Sequence, residues 1–494
     1  MTVREVLSGV ALTAEPPENL WNAPVLGLDY DSRRIQPGYL FFAFAGAHAD
    51  GRGFAQSAID KGALAVVSEL PAPADFHGVW LTVAHGRKSL ATAARNFYGQ
   101  PDQRLALTGV TGTNGKTTTT FLIDSLLRHA GKTTALIGTI EYRLGREVRP
   151  AVNTTPESLD LFRIFQELER IGGTHVTMEV SSHALALGRV HGIHFHTAVF
   201  TNLTRDHLDF HGTMEAYFEA KRLLFADPDF AIINHDDEYG RRIGPCAGTK
   251  TITYGFEKGA DLRASGLEMT FAGLRFTAHY AGEAVPLASP LTGKINVYNI
   301  LAACGAGLSY GLDWSTIAPA IQQTQRVPGR FETVEAGQPF LVVVDYAHTD
   351  DALRNVIAIA RALPHKRVIT LFGCGGDRDR TKRPLMGMAA AEASDFVVLT
   401  SDNPRSEDPL GIINDALVGL RRFDTPHLIE PDRQKAIHAA LAEAEPGDIV
   451  ILAGKGHEPY QVLKDKTIAF DDREVARQAL AGLGYANGSG SKER

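Results

Sequence analysis

Residues 108 to 127 read TGVTGTNGKTTTTFLIDSLL: an apolar run, a glycine-rich turn, Lys-Thr, then helical periodicity. In that order, backbone N–H groups and a helix N-terminus can surround phosphate. Lys116 would reach the β- and γ-phosphates, and Thr117 would offer its hydroxyl to Mg²⁺. Gly112, Thr113, Asn114, Gly115 and Thr118 complete the loop. The strict form G-x-x-x-x-G-K-[ST] demands glycine at position 110, where Val110 stands. The stretch is either a nucleotide loop of another sub-type or a structural turn with a solvated lysine. The flanking strand and helix patterns favour the loop.

A second lysine sits on an unusual face. On a helix, Lys221 has Tyr217, Phe218, Leu224 and Phe225 as its i−4, i−3, i+3 and i+4 neighbours. Taken alone, this reads best as a packed methylene stem with the ammonium at the surface. The alternative is desolvation, which lowers a lysine's pKa and leaves neutral amine. Such an amine can add CO₂ and become a long-armed carboxylate.

The elements that must position these groups alternate along the chain. Short strand-like runs (YLFFAFAG, GALAVVSE, VWLTVA) occupy the first hundred residues, and FYGQPDQRLAL offers a break near residue 100. RLALTGV, TTALIGTI, THVTMEVSS, TAVFTNL and FAIINHD then predict a buried, mostly parallel sheet. Residues 261 to 290 alternate apolar with polar, as an antiparallel meander does. After RVPGRFE, the runs FLVVVDYAH, RVITLFGCGGDRD, DFVVLTSDNPR and DIVILAGKGHE each end in polar or glycine-rich residues. In open parallel sheets, that end is where ligands bind.

The length of 494 residues suits about three domains of ~150 residues. Hydrophobic content is 44% and the net charge is −7, which argues against a nucleic-acid or membrane partner. Three scattered cysteines make no disulfide framework or zinc knuckle. With no signal peptide and no long apolar run, a cytoplasmic protein is expected. The tail ANGSGSKER reads as frayed.

TGTNGKTT resembles the ATP loop of the Mur ligase family, whose version does not require the first glycine. Other family motifs follow in order: Glu179 in MEVSSHAL, Asn202, Asp206 and His207 in NLTRDHLD, and then Lys221. The resemblance implies an α/β protein of three domains. These are an N-terminal UDP-substrate domain (1–99), a central P-loop-type domain with a mostly parallel sheet and an antiparallel segment (100–330), and a C-terminal Rossmann-like domain (331–494). It implies ATP as co-substrate and two Mg²⁺ ions, one on Thr117 and Glu179, the other on His207 and a carbamylated Lys221. Asn296 and Asn299 in LTGKINVYNILAACG would meet the adenine, while Arg330, Asp345 and His348 would reach ATP across a cleft. The family usually reads H-T-P there, and Asp350 replaces the proline.

For the UDP-sugar-peptide, the resemblance implies Tyr30, Ser32, Ala47, His48 and Ala49 near the uridine diphosphate. Asn153, Thr154, Thr155, Ser181, Leu187 and Arg189 would surround the sugar-peptide, although glutamine is common where Leu187 stands. Asp402-Asn403-Pro404-Arg405 resembles the motif of family members that add meso-diaminopimelate to UDP-N-acetylmuramoyl-L-alanyl-D-glutamate. Arg405 can grip a carboxylate bidentately, with hydrogen bonds added by Asn403. Lysine lacks that second carboxylate, so the site would reject it. Arg378, Gly454 and Glu458 match the remaining amino-acid contacts. GCGGD also hints at a dinucleotide loop, but Arg378 stands where its third glycine belongs. The implied reaction is an acyl-phosphate ligation in peptidoglycan precursor synthesis, carried out by a monomer that binds ATP, then the UDP-dipeptide, then the amino acid. A lysine-adding or folylpolyglutamate synthetase-like ligase is the alternative.

Overall fold

The structure is a computed structural model describing residues 1–46, 50–244, 248–270 and 273–485. The Ala47-His48-Ala49 turn, Cys246 and the tail from 486 lie outside the described residues. Cys304 and Cys374 are free and buried.

Among the described residues, three larger sheets follow one another along the chain, and Tyr460–Val462 and Thr467–Ala469 add a two-stranded antiparallel ribbon. The first is parallel, of β1 (Gly27–Asp29), β2 (Tyr39–Phe42), β3 (Ala65–Ser68) and β4 (Trp80–Thr82). β2, β3 and β4 correspond to the three predicted runs. β1 is only three residues long, too short for any periodicity to reveal.

The second sheet contains β5 (Ala106–Thr111), β6 (Thr134–Ile137), β7 (Glu141–Leu144), β8 (Glu147–Pro150), β9 (His175–Glu179), β10 (Thr197–Phe200), β11 (Phe230–Asn234), β12 (Lys250–Gly255), β13 (Leu262–Thr270), β14 (Gly273–Tyr280) and β15 (Glu283–Ser289). Its order is β15-β14-β13-β12-β11-β10-β5-β9-β6-β7-β8. From β13 to β6 the pairing is parallel, and β13–β15 form the expected antiparallel meander. The opposite edge was not expected: β6, β7 and β8 pair antiparallel, with the turn made by Gly145 at φ 55°.

Alternate residues of the central strands face two cores. Val110, Val199 and Ile232 pack with Leu122 and Leu126 of the helix Lys116–His129 and with Ile300 of the helix Lys294–Ser309. Leu107, Ala198 and Phe200 face the other way, with Phe162 and Phe165 of the helix Ser158–Arg170. Burial on both faces is why these strands read as continuous apolar runs. The same second core includes Leu40, Leu81 and Leu90 of the N-terminal unit.

The third sheet orders β16 (Glu332–Thr333), β17 (Leu341–Asp345), β21 (Ile449–Ala453), β18 (Val368–Cys374), β19 (Phe396–Ser401) and β20 (His427–Ile429). All neighbours except β16 and β17 are parallel. Among the described residues, no helix is long and apolar enough to cross a membrane.

Burial gives the fold a measurable acid sensitivity. His175, at the start of β9 and edge-on to Tyr310, is pushed down to about 4 by burial. The unfolded chain takes up that proton near the ordinary histidine value of ~6.5, so stability falls as pH drops from there towards 4. The melting temperature of His175→Gln should fall less over that interval than that of the parent.

Candidate active site

The turn after β5 explains Val110. Val110 is a fully buried strand residue opposite Glu179 on one side and Val199 on the other, so the turn has not yet begun there. It begins at Gly112, whose φ is 150° and where a Cβ would lie 1.8 Å from Thr201 Oγ1. Gly115, at φ 87°, leads into the helix Lys116–His129, and a Cβ there would meet Asn299 Oδ1 at 2.4 Å. Gly112→Ala should therefore keep the fold and weaken ATP binding by about 10-fold or more, from strain of ~1–3 kcal/mol. Calorimetric titration with ATP checks this.

Asn202 clamps the loop from β10: its Oδ1 accepts from Asn114 N (2.9 Å) and its Nδ2 donates to Asn114 O (3.0 Å). Thr113 Oγ1 donates to Thr204 O (3.1 Å), and Thr118 is buried in the first turn of the helix Lys116–His129. Lys116 Nζ donates to the carbonyls of Gly112 (2.9 Å) and Thr113 (2.8 Å).

Lys221 Nζ donates to the same Gly112 carbonyl at 2.8 Å and lies 4.6 Å from the Tyr217 ring centroid. The residue is 1% exposed, which corrects the surface-reaching reading. The helix Met214–Arg222 and the 3₁₀ turn Leu223–Phe225 carry this face inward, under the phosphate loop. Burial, reinforced by Lys116, drives the Lys221 amine well below the ordinary lysine range. Two ammonium groups sharing one carbonyl favour a neutral amine on one of them.

Glu179 ends β9 and is fully buried, accepting from Thr139 N (2.8 Å) and Thr139 Oγ1 (3.1 Å). A Cβ at Gly138 would meet its carboxylate, so the turn after β6 is shaped to admit it. His207 has φ 54°, and its Nε2 lies 3.3 Å from Asp206 Oδ2. Burial lowers the His207 pKa; Asp206 is also lowered, burial being outweighed by His207, His348 and Lys382. Among the described residues, no group of three His, Cys, Asp or Glu could hold a metal. A cation beside Thr117 and Glu179 would need further oxygen ligands from a phosphate, a requirement that suits Mg²⁺.

The third sheet closes over this loop. Arg330 Nη2 donates to Thr117 Oγ1 (3.1 Å), and its guanidinium lies 4.6 Å from the Tyr346 ring centroid. Asp345, at the end of β17, accepts from Phe331 N (2.7 Å) and Ala347 N (2.8 Å), and burial raises its pKa. His348 Nδ1 donates to Tyr346 O (2.8 Å). Asp351, absent from the sequence reading, accepts from Asn114 Nδ2 (2.7 Å) and Thr204 Oγ1 (3.2 Å). Asp350 opens the helix Asp350–Arg361, where a carboxylate suits the dipole, and Thr349 caps it. Asn299 is buried, donating to Asn296 Oδ1 (2.9 Å) and accepting from Thr119 Oγ1 (3.3 Å). One cavity is lined by the phosphate loop, Glu179, His207, Lys221, Asn296, Asn299, Arg330, Asp345 and His348.

Thr154 and Ser181 line the edge of that cavity. Thr155 Oγ1 donates to Glu179 O (2.9 Å), Arg189 donates to Glu157 Oε1 (2.9 Å) and Thr155 O (3.0 Å), and Leu187 caps the short helix Ser182–Ala186. Asn153 is exposed. Tyr30 donates to Asp160 Oδ2 (2.6 Å) on the central unit, and buried Ser32 accepts through its carbonyl from Lys61 Nζ (2.7 Å).

Beyond β18, β19 and β21 lie the amino-acid candidates. Arg405 Nη1 donates to Gly376 O (2.7 Å), Pro404 O accepts from Glu407 N (3.1 Å), and Arg378 is exposed beside them. The Asn403 amide is turned inward, donating to Glu458 Oε2 (3.0 Å) and accepting from Lys455 Nζ (3.1 Å) and Val462 N (2.9 Å). Lys455, another residue the sequence reading missed, is fully buried between Asp402 (3.5 Å) and Glu458 (3.3 Å). Gly454 N donates to Asp345 O (3.0 Å), and Tyr346 donates to Glu458 Oε1 (3.4 Å). Tyr346 thus joins the amino-acid loops to Arg330. Its only sequence signal is adjacency to Asp345.

Residues 110–307 match the profile of the Mur ligase middle domain, 329–456 that of the Mur ligase glutamate ligase domain, and 24–98 that of the Mur ligase family catalytic domain. The chain belongs to the Mur ligase family. It is 64% identical over 490 residues to the UDP-N-acetylmuramoyl-L-alanyl-D-glutamate–2,6-diaminopimelate ligase of Solibacter usitatus (strain Ellin6076), covering 98% of this chain and 99% of that relative. The same-named Mur ligase of Geobacillus thermodenitrificans (strain NG80-2) is 48% identical over 468 residues, covering 93% and 95%. A solved structure of a ligase of that name superposes with a TM-score of 0.69 at 34% identity, covering 98% of this chain and 100% of its own. MurF from Acinetobacter baumannii, at 19% identity and a TM-score of 0.65 over 92% and 95%, shares the Mur ligase fold.

Proposed function

We propose that this Mur ligase uses ATP to join meso-diaminopimelate to UDP-N-acetylmuramoyl-L-alanyl-D-glutamate, as its relatives' names describe for them. The γ-phosphoryl passes to the D-glutamate side-chain carboxylate and ADP leaves. The diaminopimelate amine attacks the acyl phosphate, loses a proton, and expels phosphate from the tetrahedral intermediate. Lys116 and Arg330 face the phosphate loop, where they offset charge on the transferring group. Thr117 and Glu179 would hold one Mg²⁺, and His207 with a carbamylated Lys221 a second. Bound there, the ions neutralise phosphate charge. The carbamate forms when the neutral Lys221 amine adds CO₂ and sheds a proton.

The amino-acid site is assigned to Arg378, Asp402, Arg405, Gly454 and Glu458, with Asn403 shaping it. The UDP-dipeptide is assigned to Tyr30, Ser32, Thr154, Thr155, Ser181 and Arg189. We divide the chain at 99 and 330 and place the reaction in the cytoplasm, on a monomer.

One observation carries this reading. Arg405 and Glu458, a cation and an anion suited to the two poles of an amino-carboxylate, stand on loops tied together by Asn403 Nδ2, which donates to Glu458 Oε2 (3.0 Å), and Glu458 connects through Tyr346 to Arg330. The test mixes protein, ATP, Mg²⁺ and the UDP-dipeptide with meso-diaminopimelate or L-lysine, reading product mass and phosphate. Tripeptide with diaminopimelate alone is expected. Preference for lysine would overturn the role given to Arg405.

A further inference from the structure

Arg405 is one of two neighbouring residues held in left-handed backbone: its φ is 51°, and that of Asp377 on the facing loop is 52°. Neither is glycine, so each conformation persists only if its surroundings impose it. A reciprocal clasp does so. Glu407 Oε1 accepts from Asp377 N (2.6 Å), and the Asp377 carboxylate accepts from Ser406 N (3.2 Å) and Ser406 Oγ (2.7 Å). Between them, Gly376 N donates to Asn403 O (2.9 Å), and Gly376 O accepts from Arg405.

Under the clasp lies Arg383, fully buried in the helix Lys382–Ala393. It donates to both Glu407 oxygens (2.9 and 2.7 Å), to Asp415 Oδ2 (2.9 Å) and to Gly375 O (3.3 Å). Neither Arg383, Glu407 nor Asp377 lines the ATP cavity.

We infer that Glu407, seated on Arg383, is a positioning residue that aims Arg405 at the far carboxylate of the amino-acid substrate, and so sets the choice between an acceptor with a second carboxylate and one without. The inference rests on the ligase reading above. Glu407 is already paired with Arg383, so it acts on Arg405 through backbone geometry and not by neutralising it. Arg405, which spends only Nη1 on the Gly376 carbonyl, is thereby left with its other guanidinium N–H groups for a substrate anion. Arg378 faces the same space, and two guanidinium groups would drift apart without a frame holding their loops together. The clasp joins those two loops.

The test compares wild type, Glu407→Gln, Arg405→Ala and the double variant, using meso-diaminopimelate and L-lysine as acceptors. Glu407→Gln should raise KM for diaminopimelate about tenfold, the scale of one lost charge-assisted contact, with kcat and KM for ATP within about twofold. Its preference for diaminopimelate over lysine should shrink by the same factor. In the Arg405→Ala background it should add less than about twofold, because its effect runs through Arg405. Should Glu407→Gln not fold, Asp377→Asn breaks the other half of the clasp at an exposed position and should give the same pattern at smaller size. Unchanged KM for diaminopimelate, or effects that multiply in the double variant, would overturn the inference. A wild type that adds no diaminopimelate would instead overturn the ligase reading, and this inference with it.

Discussion

Lys221→Ala lowers kcat by about 10²- to 10³-fold, the scale on which one preorganised charge contact at a transferring group contributes, and acetate or bicarbonate in the assay restores part of it. The expectation comes from burial. A lysine that is 1% exposed, donating to the carbonyl that Lys116 also uses, carries its proton at a high desolvation cost. Adding CO₂ would remove the second cation from beside the phosphate loop and would supply an anion for the second Mg²⁺ proposed at His207. Removing the side chain takes that anion away, and a small free carboxylate can take part of its place. Intact-protein mass under CO₂ should show the added carboxylate on wild type and not on the variant. Full activity in Lys221→Ala would remove the carbamate from the mechanism.

Arg405→Ala raises KM for diaminopimelate by about 10²- to 10³-fold, the range found when one partner of a buried charge pair is removed. KM for ATP stays within about twofold. Arg405→Lys recovers little, since an ammonium cannot reproduce the planar two-point grip on a carboxylate. Steady-state kinetics with each substrate varied in turn makes the check. An equal loss in kcat with KM unchanged would place Arg405 in the chemistry and not in recognition.

Most of the phosphate loop could be read in the sequence, because its chemistry is local. Strand, turn, Lys116-Thr117 and helix are contiguous, and the two glycines sit where backbone must pass close to other atoms. The antiparallel meander of β13–β15 was legible for the same reason: alternation is a short-range signal. The hairpin β7–β8 was not. Its strands are four residues each, below the length at which period two stands out from charged loop.

Groups that act through long-range contact were the least visible. Asp351 looks like any acidic residue opening a helix until its bond to Asn114 joins the C-terminal unit to the phosphate loop. Lys455 reads as a surface lysine in GKGH, yet it is buried between two carboxylates. The apolar neighbours of Lys221 marked it as unusual but could not say where its Nζ ends, since packing and surface-reaching share one local pattern.

By itself, then, the sequence determined the longer buried strands, the antiparallel meander, the phosphate loop, and the side chains available at the strand ends. Each of these depends on residues within a few positions of one another. The tertiary structure alone decided that Lys221 is buried under Gly112, that Asn403 turns inward, and that Glu407 and Arg383 hold the Arg405 loop. Desolvation and hydrogen-bond geometry depend on atoms brought together from distant segments, and only the packed sheets bring them there.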